Sequence, residues 1–444
     1  MRTLESNDKG FEQALTTLLD QRREELTGVE AQVREIIAAV RSGGDQAVIR
    51  YTREFDGVEI TAKAMEVPRT QWARASAGLD KKTRAALERA AERIASFHRQ
   101  ELSCSWFDSE PGVVRGQLVR PLARAGVYVP GGKAAYPSSL LMNVIPAKVA
   151  GVKEVVVLTP PAKEGLNPAL IAAAELAGAD RLVLAGGAQA IAALAYGTET
   201  VPQADIIVGP GNSYVTAAKR LLYGVVMVDM VAGPSEILVL ADGTTPARFL
   251  AADLLSQAEH DEQAWPILIT TSAAFASEVE EEVTALSRTL PRQEIITPCL
   301  ERHGIVIVVK DVAEGMAIAN RIAPEHLELA IADPLQWLGR VENAGSVFLG
   351  AYTPEAVGDY LGGPNHVLPT GGTARFFSPL GVEHFMKRIN ILSYSPEALR
   401  GVREDVARLA RLEGLEAHAR AVEVRGKCHD VTSPQSNQKR KGRG

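Results

Sequence analysis

The chain has 444 residues, of which 46% are hydrophobic and 23% are charged, so it is long enough for about three folding units. A formal net charge of -6 gives no broad basic surface, which argues against nucleic acid and an anionic membrane as partners. Three scattered cysteines suit neither a disulfide framework nor a cysteine zinc site and are most simply ordinary thiols of a reducing compartment. With no signal-peptide pattern and no run near the roughly 18 apolar residues of a membrane span, we expect a soluble cytoplasmic protein acting on a small molecule.

Amphipathic patterns predict helices over about the first 120 residues, at residues 29–40, 47–55 and 82–97. From Arg124 onward, short apolar runs alternate with Ala-rich helical segments. Strands are predicted at residues 154–158, 181–184, 205–208, 266–270 and 304–309. Strands of this kind, separated by helices, are typical of parallel sheets covered on both faces. Two further strand-like runs in residues 225–242 indicate that two α/β units join there.

Three glycine-containing loops follow predicted strands and open predicted helices, at residues 128–133, 186–190 and 209–214. Glycine lets the backbone approach a ligand, and the free amides of a helix's first turn favour phosphate oxygens. The alternative is a purely structural use of glycine in tight turns. None of the loops contains the complete G-x-G-x-x-G pattern with a downstream acidic residue. Together, at the carboxyl ends of neighbouring strands, they would form a nucleotide crevice.

Gln257 and His260 lie three residues apart near the end of a helix predicted to begin near Pro246. Side chains at this spacing are about 60° apart around the helix, so both can reach one point beside it. A neutral imidazole and an amide oxygen are acceptable zinc ligands, although glutamine is a rare one. The pair is a candidate metal site, and the alternative is a solvated helix end.

Glu325 and His326 follow Pro324, which blocks the preceding helix and predicts that both residues lie on a turn. An adjacent carboxylate and imidazole are suited to taking protons from water and from an alcohol near neutral pH. The alternative is an ordinary surface dipeptide.

Residues 358–372 contain five glycines and two prolines around Asp359, Asn365 and His366. A loop with this much backbone freedom is costly to order unless it shapes a site. We therefore interpret it as functional, the alternative being a long glycine-rich surface loop.

The C-terminal region from Gly381 to about Val424 is largely helical in pattern, with a helix predicted at residues 409–420 that carries Glu413 and His418. Five residues along a helix correspond to about 140°, so these side chains reach one ligand only if they straddle it or the helix bends. The closing residues, TSPQSNQKRKGRG, are polar and basic, which indicates a disordered tail rather than a nucleic-acid-binding arm.

Seven segments occur in the order and spacing found in histidinol dehydrogenases, and the chain resembles that family from about residue 29 to residue 424. They are GGAQAIAALAYGTETVP, GPGNSYVTAAKR, AGPSEILVLAD, LLSQAEH, APEHLEL, GSVFLG and GDYLGGPNHVLPTGGTAR. The resemblance implies an α/β fold of two incomplete Rossmann-like domains, with parallel sheets flanked by helices, small N- and C-terminal helical segments, and an intertwined homodimer. The implied boundaries are residues 1–23, 24–127 with 237–380, 128–236 for NAD binding, 381–425 for dimerisation, and a tail at 426–444.

Enzymes of that family oxidise L-histidinol to L-histidine through the aldehyde, in the last steps of histidine biosynthesis, with two NAD molecules and a zinc ion at each site. The matching motifs imply that the zinc ligands are Gln257, His260, Asp359 and, from the partner subunit, His418. They imply Glu325 and His326 as the catalytic acid–base pair. The implied substrate contacts are the zinc ligands, His326, Ser235, His366 and Glu413, and the implied NAD contacts are Tyr128, Gln189 and Asn212.

No cysteine lies in any of these motifs, so we expect the aldehyde step to pass through a hydrate, with Glu325 activating water and His326 as the base. The nearest alternative is an enzyme of the same fold that oxidises another small alcohol to its acid. A zinc hydrolase or lyase without NAD, and a solute-binding protein of two α/β lobes, are the more distant alternatives.

Overall fold

The structure is a computed structural model that describes residues 1–22, 28–131, 136–231 and 233–426. Its strands are β1 (Arg2–Glu5), β2 (Trp106–Glu110), β3 (Val113–Pro121), β4 (Arg124–Tyr128), β5 (Glu154–Thr159), β6 (Arg181–Leu184), β7 (Ile206–Val208), β8 (Met227–Val228), β9 (Glu236–Ala241), β10 (Trp265–Thr270), β11 (Ile305–Val308), β12 (His326–Ala330), β13 (Ser346–Leu349) and β14 (Met386–Tyr394). The predicted tail from residue 427 onward lies outside the described residues.

Helices flank these strands through most of the described chain. They are α1 (Phe11–Gln21), α2 (Glu30–Tyr51), α3 (Ala62–Met65), α4 (Arg69–Gly78), α5 (Lys81–Arg99), α6 (Pro137–Ala150), α7 (Pro168–Ala177), α8 (Gly187–Tyr196), α9 (Ser213–Leu222), α10 (Ala247–Ala258), α11 (Ala273–Ser287), α12 (Gln293–His303), α13 (Val312–Ile322), α14 (Pro334–Trp337), α15 (Glu355–Val357), α16 (Pro396–Leu412) and α17 (Glu416–Glu423). None of the helices described here is long and apolar enough to cross a membrane.

The larger sheet has six parallel strands in the order β1-β11-β10-β9-β12-β13. Every residue of β9, β10 and β12 is buried, as expected for strands covered on both faces. Helices α1 and α13 pack on one face, and α10, α11 and α12 pack on the other. The predicted strands at residues 266–270 and 304–309 are confirmed to within a residue at each end.

The smaller sheet has five parallel strands in the order β6-β5-β4-β7-β8. Helices α4 to α7 cover one face, and α2, α8 and α9 cover the other. The chain leaves this sheet at β8 and enters the larger one at β9, within residues 225–242 as predicted. The predicted α/β architecture with helix-covered parallel sheets is therefore confirmed.

Helix α2 differs from the prediction in its packing. We assigned residues 24–127 to the domain of the larger sheet, but Val33, Ile36 and Val40 lie in the core of the smaller one. Apolar periodicity identifies the buried face of a helix and not the sheet that buries it.

The prediction of an entirely helical N-terminal region is wrong at two places. Residues 2–5 form β1, which adds a parallel edge strand beside β11, and residues 106–121 contain the antiparallel pair β2 and β3. A four-residue edge strand is too short to carry a periodic signal, and β2 is exposed along its whole length.

Residues 103–120 and 387–426 form a second compact unit, distinct from the unit of residues 1–102 and 121–386. It contains the strand order β14-β3-β2 and the paired helices α16 and α17. The continuous helix predicted at residues 409–420 is wrong, because α16 ends at Leu412 and α17 starts at Glu416. Between them Gly414 has a φ of 76°, a left-handed conformation that ends the first helix.

Candidate active site

The candidate acid–base pair, Glu325 and His326, lies at the amino end of β12 in the larger sheet. His326 is the first residue of β12, and Glu236 is the first residue of the neighbouring β9. Helix α13 ends at Ile322, and the left-handed φ of 50° at the next residue, Ala323, turns the chain into Pro324 and Glu325. The prediction of a turn is thus correct in part, since the helix stops before Pro324 but His326 belongs to a strand.

The imidazole of His326 has a defined tautomer. Its Nδ1 lies 2.8 Å from the backbone oxygen of Glu236, and because a carbonyl only accepts, Nδ1 is the nitrogen that carries the proton. The lone pair is therefore on Nε2, which is buried and has no hydrogen-bond partner among the described residues. A buried, unpaired imidazole nitrogen is a suitable general base.

Glu325 is held beside this histidine by the same strand. Its Oε2 accepts a hydrogen bond of 2.8 Å from the backbone N–H of Glu236 and lies 3.7 Å from His326 Nδ1. Burial raises the pKa of Glu325 to about 8, although the nearby imidazole opposes part of that increase. The carboxyl can therefore gain or lose a proton near neutral pH, as an acid–base catalyst must.

The side chain of Glu236 forms a buried ion pair with Arg22, which sequence analysis did not identify. The guanidinium donates from Nε to Glu236 Oε1 at 3.0 Å, pairs through Nη2 with Oε2, and donates from Nη1 to the Ile322 oxygen at 2.8 Å. Glu236 Oε1 also accepts from the N–H of Gly371 at 3.0 Å. Because 214 residues separate the two partners, no local pattern indicates the pair.

Gln257 and His260 come together at the end of α10, as their spacing predicts. The Gln257 amide fits its surroundings with the nitrogen 2.8 Å from Oε1 of Glu355, which leaves its oxygen about 3.5 Å from His260 Nδ1. Solvent reaches His260, yet the surrounding protein still lowers its pKa through desolvation, which favours the neutral imidazole that binds metals.

Asp359 and His366 lie on the glycine-rich loop that was interpreted as functional. Asp359 is part of a short π turn, Gly358–Gly362. His366 Nδ1 lies 2.9 Å from the Asp359 backbone oxygen and 3.8 Å from its Oδ1, and desolvation lowers the pKa of His366. Asp359 Oδ1 is also 3.9 Å from Nε2 of His326, so the loop and the acid–base pair share one site.

Glu355 is a second site residue that sequence analysis missed. It is buried, and its Oε1 lies 3.6 Å from His326 Nδ1. Its backbone N–H donates to Glu328 Oε1 at 2.8 Å, and Ser256 Oγ donates to its Oε2 at 3.3 Å. Desolvation raises its pKa well above the usual value. In the sequence, the only indication that Glu355 belongs to the site is its position four residues before Asp359.

These donors fit a zinc ion. Two atoms that coordinate one tetrahedral zinc at about 2.1 Å lie about 3.4 Å apart, close to the separation of the Gln257 oxygen and His260 Nδ1. His326, Glu355 and Asp359 also offer ligand atoms within 4.8 Å of one another. Nitrogen and oxygen donors of this kind suit zinc and related transition metals.

The other predicted substrate and metal residues lie in two places. Ser235 directly precedes Glu236, and its backbone oxygen accepts from the N–H of Trp265 at 2.9 Å. His418 on α17 and Glu413 at the end of α16 belong to the second compact unit and are exposed.

The three predicted nucleotide loops converge at the carboxyl edge of the smaller sheet. A Cβ on Gly186 or Gly131 would meet the ring of Pro160, at 2.7 and 3.2 Å, and one on Gly209 would collide with the Tyr128 backbone oxygen at 2.1 Å. At Gly186 and Gly209 the approach is too close for any residue with a Cβ. Residues 132–135 of the first loop lie outside the described residues.

The three predicted NAD contacts differ in their surroundings. The Tyr128 hydroxyl accepts from the N–H of Gly187 at 3.1 Å, and burial raises its pKa to about 12, so it stays protonated. Both amide atoms of Gln189 are buried without partners among the described residues, as a ligand-facing amide would be. Asn212 caps α9 by accepting from the Val215 N–H at 3.1 Å.

Comparisons with known proteins agree with this architecture. The family model of histidinol dehydrogenase matches residues 19–426. The histidinol dehydrogenase of Bacillus cereus is 54% identical over 398 residues, covering 89% of this chain and 92% of the relative. That of Syntrophotalea carbinolica is 51% identical and covers 96% of this chain and 99% of the relative. The crystal structure of histidinol dehydrogenase from Elizabethkingia anophelis superimposes with a TM-score of 0.90 at 36% identity, covering 96% of this chain and 98% of that one. The chain therefore belongs to the histidinol dehydrogenase family.

Proposed function

We propose that this chain oxidises L-histidinol to L-histidine through the aldehyde, with zinc as its metal and two molecules of NAD as oxidant. The observation that carries the proposal is the buried Nε2 of His326, an unpaired base beside Glu325 and the cluster of Gln257, His260 and Asp359. Family membership supports the substrate, and the convergent glycine loops support a dinucleotide.

Each cofactor has residues suited to hold it. Gln257, His260 and Asp359, with the partner subunit's His418, would coordinate the metal. When bound, zinc would supply a fixed point of attachment for the substrate and so orient its carbinol carbon. When bound at the edge of the smaller sheet, NAD accepts one hydride in each oxidation.

In the first oxidation His326 acts as the base. Its Nε2 takes the proton of the substrate hydroxyl as hydride leaves the carbinol carbon, which gives the aldehyde, NADH and an imidazolium. The backbone oxygen of Glu236 stabilises this cation through Nδ1–H, so no ring rotation is needed.

In the second oxidation Glu325 acts first. As a carboxylate it removes a proton from water, which adds to the aldehyde carbon while the His326 imidazolium returns its proton to the aldehyde oxygen, so that the hydrate forms and His326 is neutral again. His326 then takes a hydroxyl proton of the hydrate as the second hydride leaves. Cys299 is not suited to supply a thiol nucleophile. Cys299 is buried with its Sγ against the Ala264 oxygen at 3.2 Å, and burial raises its pKa to about 12.

The proposal includes a homodimer in which each site is shared. Glu413 and His418 would come from the partner subunit, where Glu413 contacts the substrate and His418 completes the metal site. His366 and Ser235 would contact the substrate within the subunit that holds Gln257. The break between α16 and α17 supports this arrangement. Glu413 and His418 do not lie on one continuous helix, so their side chains need not point about 140° apart.

The test is the stoichiometry of NADH production from L-histidinol by the purified protein with excess NAD. We expect two NADH per histidinol, no NADH after chelation, and recovery of the rate with added zinc. If the zinc-loaded protein forms no NADH, the proposal is overturned. If it forms one NADH per histidinol, the proposal is restricted to the alcohol step. An equal kcat/KM on L-alaninol, which lacks the imidazole, would favour the alternative substrate class.

A further inference from the structure

The smaller sheet has the strand arrangement of a nucleotide-binding half but lacks one expected residue. If its strands are numbered along the chain from β4, their order across the sheet is third, second, first, fourth and fifth. In such sheets an acidic residue at the end of the second strand accepts hydrogen bonds from the adenosine ribose. Here the second strand is β5, and Thr159 is followed by Pro160 and Pro161. No carboxylate occupies that position.

Asp56 is an unexplained carboxylate elsewhere in this unit. It is the last residue of the π turn Thr52–Asp56 that follows α2. Its Oδ2 is buried and has no hydrogen-bond partner among the described residues. Desolvation raises its pKa to about 6, so at neutral pH it is mainly a carboxylate in need of donors.

Two neighbours place Asp56 at the carboxyl edge of the sheet. A Cβ on the next residue, Gly57, would lie 3.7 Å from Cε of Lys163, in the loop after β5. The charge of Asp56 also contributes to the raised pKa of Tyr128 at the end of β4. The hydroxyl of Tyr128 in turn accepts from Gly187, which follows β6. Asp56 therefore lies near the ends of the first three strands, where the ribose acid is missing.

The residue that precedes Asp56 in the chain belongs to an exposed aromatic surface. The ring of Phe55 is 46% exposed and stacks on Tyr51 with a centroid distance of 5.5 Å and an interplanar angle of 7°. A flat, exposed ring next to an unpaired carboxylate can stack on a purine while the carboxylate binds the attached sugar.

We propose that Asp56 accepts hydrogen bonds from the vicinal hydroxyls of the NAD adenosine ribose and so excludes NADP. The proposal deepens the proposed function, since it rests on NAD being the dinucleotide of this site. A 2′-phosphate would remove one donor and place a second anion against a half-buried carboxylate whose Oδ2 is shielded from water. The ammonium of Lys163 lies nearby, but it is exposed and screened by water, so the half-buried carboxylate dominates at short range.

The experiment compares NAD and NADP in the full-length enzyme with L-histidinol as substrate. Asp56→Asn and Asp56→Ala should lower kcat/KM for NAD by about tenfold or more, mainly through KM, and raise the NADP-to-NAD ratio of kcat/KM by at least about tenfold. Glu54→Gln, which removes an exposed carboxylate from the same turn, is the matched control and should change neither value. Melting temperatures identify any variant that fails to fold.

Direct binding of each nucleotide, measured by calorimetry without substrate, separates this inference from the proposed function. If the wild-type protein binds NAD but does not oxidise histidinol, the proposed reaction fails while the Asp56 variants still test selectivity. An unchanged NADP-to-NAD ratio in folded Asp56→Asn and Asp56→Ala, or an equal shift in Glu54→Gln, would overturn the inference. A wild-type protein that binds NAD and NADP equally, or that binds neither, would also overturn the inference.

Discussion

The Nδ1 of His326 donates a 2.8 Å hydrogen bond to the backbone oxygen of Glu236, while the backbone N–H of Glu236 donates a bond of the same length to Glu325. One residue of β9 thus orients both members of the acid–base pair through its main chain. Since main-chain groups cannot be removed by side-chain substitution, the orientation is robust to most mutations of Glu236 unless the strand itself shifts.

Replacing the base should abolish most of the activity. His326→Asn is expected to lower kcat for histidinol oxidation by about 100- to 10,000-fold, the range that general base catalysis contributes. Steady-state NADH formation measures the effect. His384→Asn, which removes an imidazole bonded near Gly381 outside this cluster, should leave kcat within about twofold. If His326→Asn kept a tenth of the wild-type rate, His326 would not be the base.

Glu325→Gln should affect the aldehyde step more than the alcohol step. Because burial raises the pKa of Glu325 to about 8, the rate of histidinaldehyde oxidation should increase with pH up to about 8 and then level off. The variant should be about 100-fold slower in this step and should lose that dependence. Single-turnover kinetics with the aldehyde provide the measurement, and full retention of the aldehyde rate would rule out the assignment.

The same group should make stability pH-dependent in a defined direction. The folded pKa of Glu325, about 8, lies above the usual pKa of 4.5 for this side chain, so the folded state retains a proton that the unfolded state has lost. Its contribution to stability is fully present below pH 4.5 and is lost as pH rises through about 8. Between these values the melting temperature of Glu325→Gln should rise relative to wild type. A constant difference across the range would contradict this assignment.

Glu355 should act on the metal through Gln257. In Glu355→Ala the Gln257 nitrogen loses its acceptor at 2.8 Å, so the amide oxygen is no longer directed toward His260. Zinc affinity should then fall by about 10- to 100-fold, as for other losses of a residue that orients a ligand. Glu355→Gln keeps an acceptor oxygen and should retain more affinity. Zinc competition with a chromogenic chelator distinguishes the variants, and equal affinity in wild type and Glu355→Ala would refute the role.

The ion pair between Arg22 and Glu236 should be a major determinant of stability. Arg22→Met leaves a buried carboxylate without its cation, which should lower the free energy of unfolding by about 3–5 kcal/mol. Arg321→Met breaks the exposed pair with Glu12 and should lower it far less, because water replaces the lost contact. Urea unfolding of both variants tests the contrast. Equal decreases in the free energy of unfolding would show that burial of the Arg22 pair does not determine how much the pair stabilises the protein.

Shared sites can be tested in a mixed dimer. With Glu325→Gln in one subunit and His418→Ala in the other, one site would combine a normal Glu325 with a normal His418 from its partner and remain active. A mixed dimer of Glu325→Gln and His326→Asn should be inactive in either case and is the control. Tandem affinity tags isolate the mixed species for assay. An inactive first dimer would show that the sites are not shared.

The strands were the most predictable part of the fold. The predicted strand at residues 181–184 has the observed bounds, and those at 154–158 and 205–208 are within one residue, because short Val- and Ile-rich runs end at glycine, proline or polar residues. The break at Gly414 was missed because a single glycine is tolerated within helical patterns.

Residues of the site were predictable only where they share a local motif. Gln257 and His260 are three residues apart, so helical geometry alone brings them together. Arg22, Glu236 and Glu355 act through contacts with residues distant in sequence, and each is an ordinary charged residue in its own segment. The position of the acid–base pair at the amino ends of the strands also depends on strand pairing, which no single segment encodes.

Asn365 fastens the glycine-rich loop to the helices of the smaller sheet. Its Nδ2 donates to the Met142 oxygen at 2.7 Å and contacts His98 Nε2 at 3.2 Å, while its Oδ1 accepts from the Val367 N–H at 2.9 Å. All of these groups are buried, so the loop cannot swing away without leaving several of them unpaired. Moving this loop away from the smaller sheet would therefore break buried hydrogen bonds on both sides of Asn365. If NAD binds at the edge of that sheet as proposed, its exchange has to take place with Asp359 and His366 held at their present distance from helices α5 and α6.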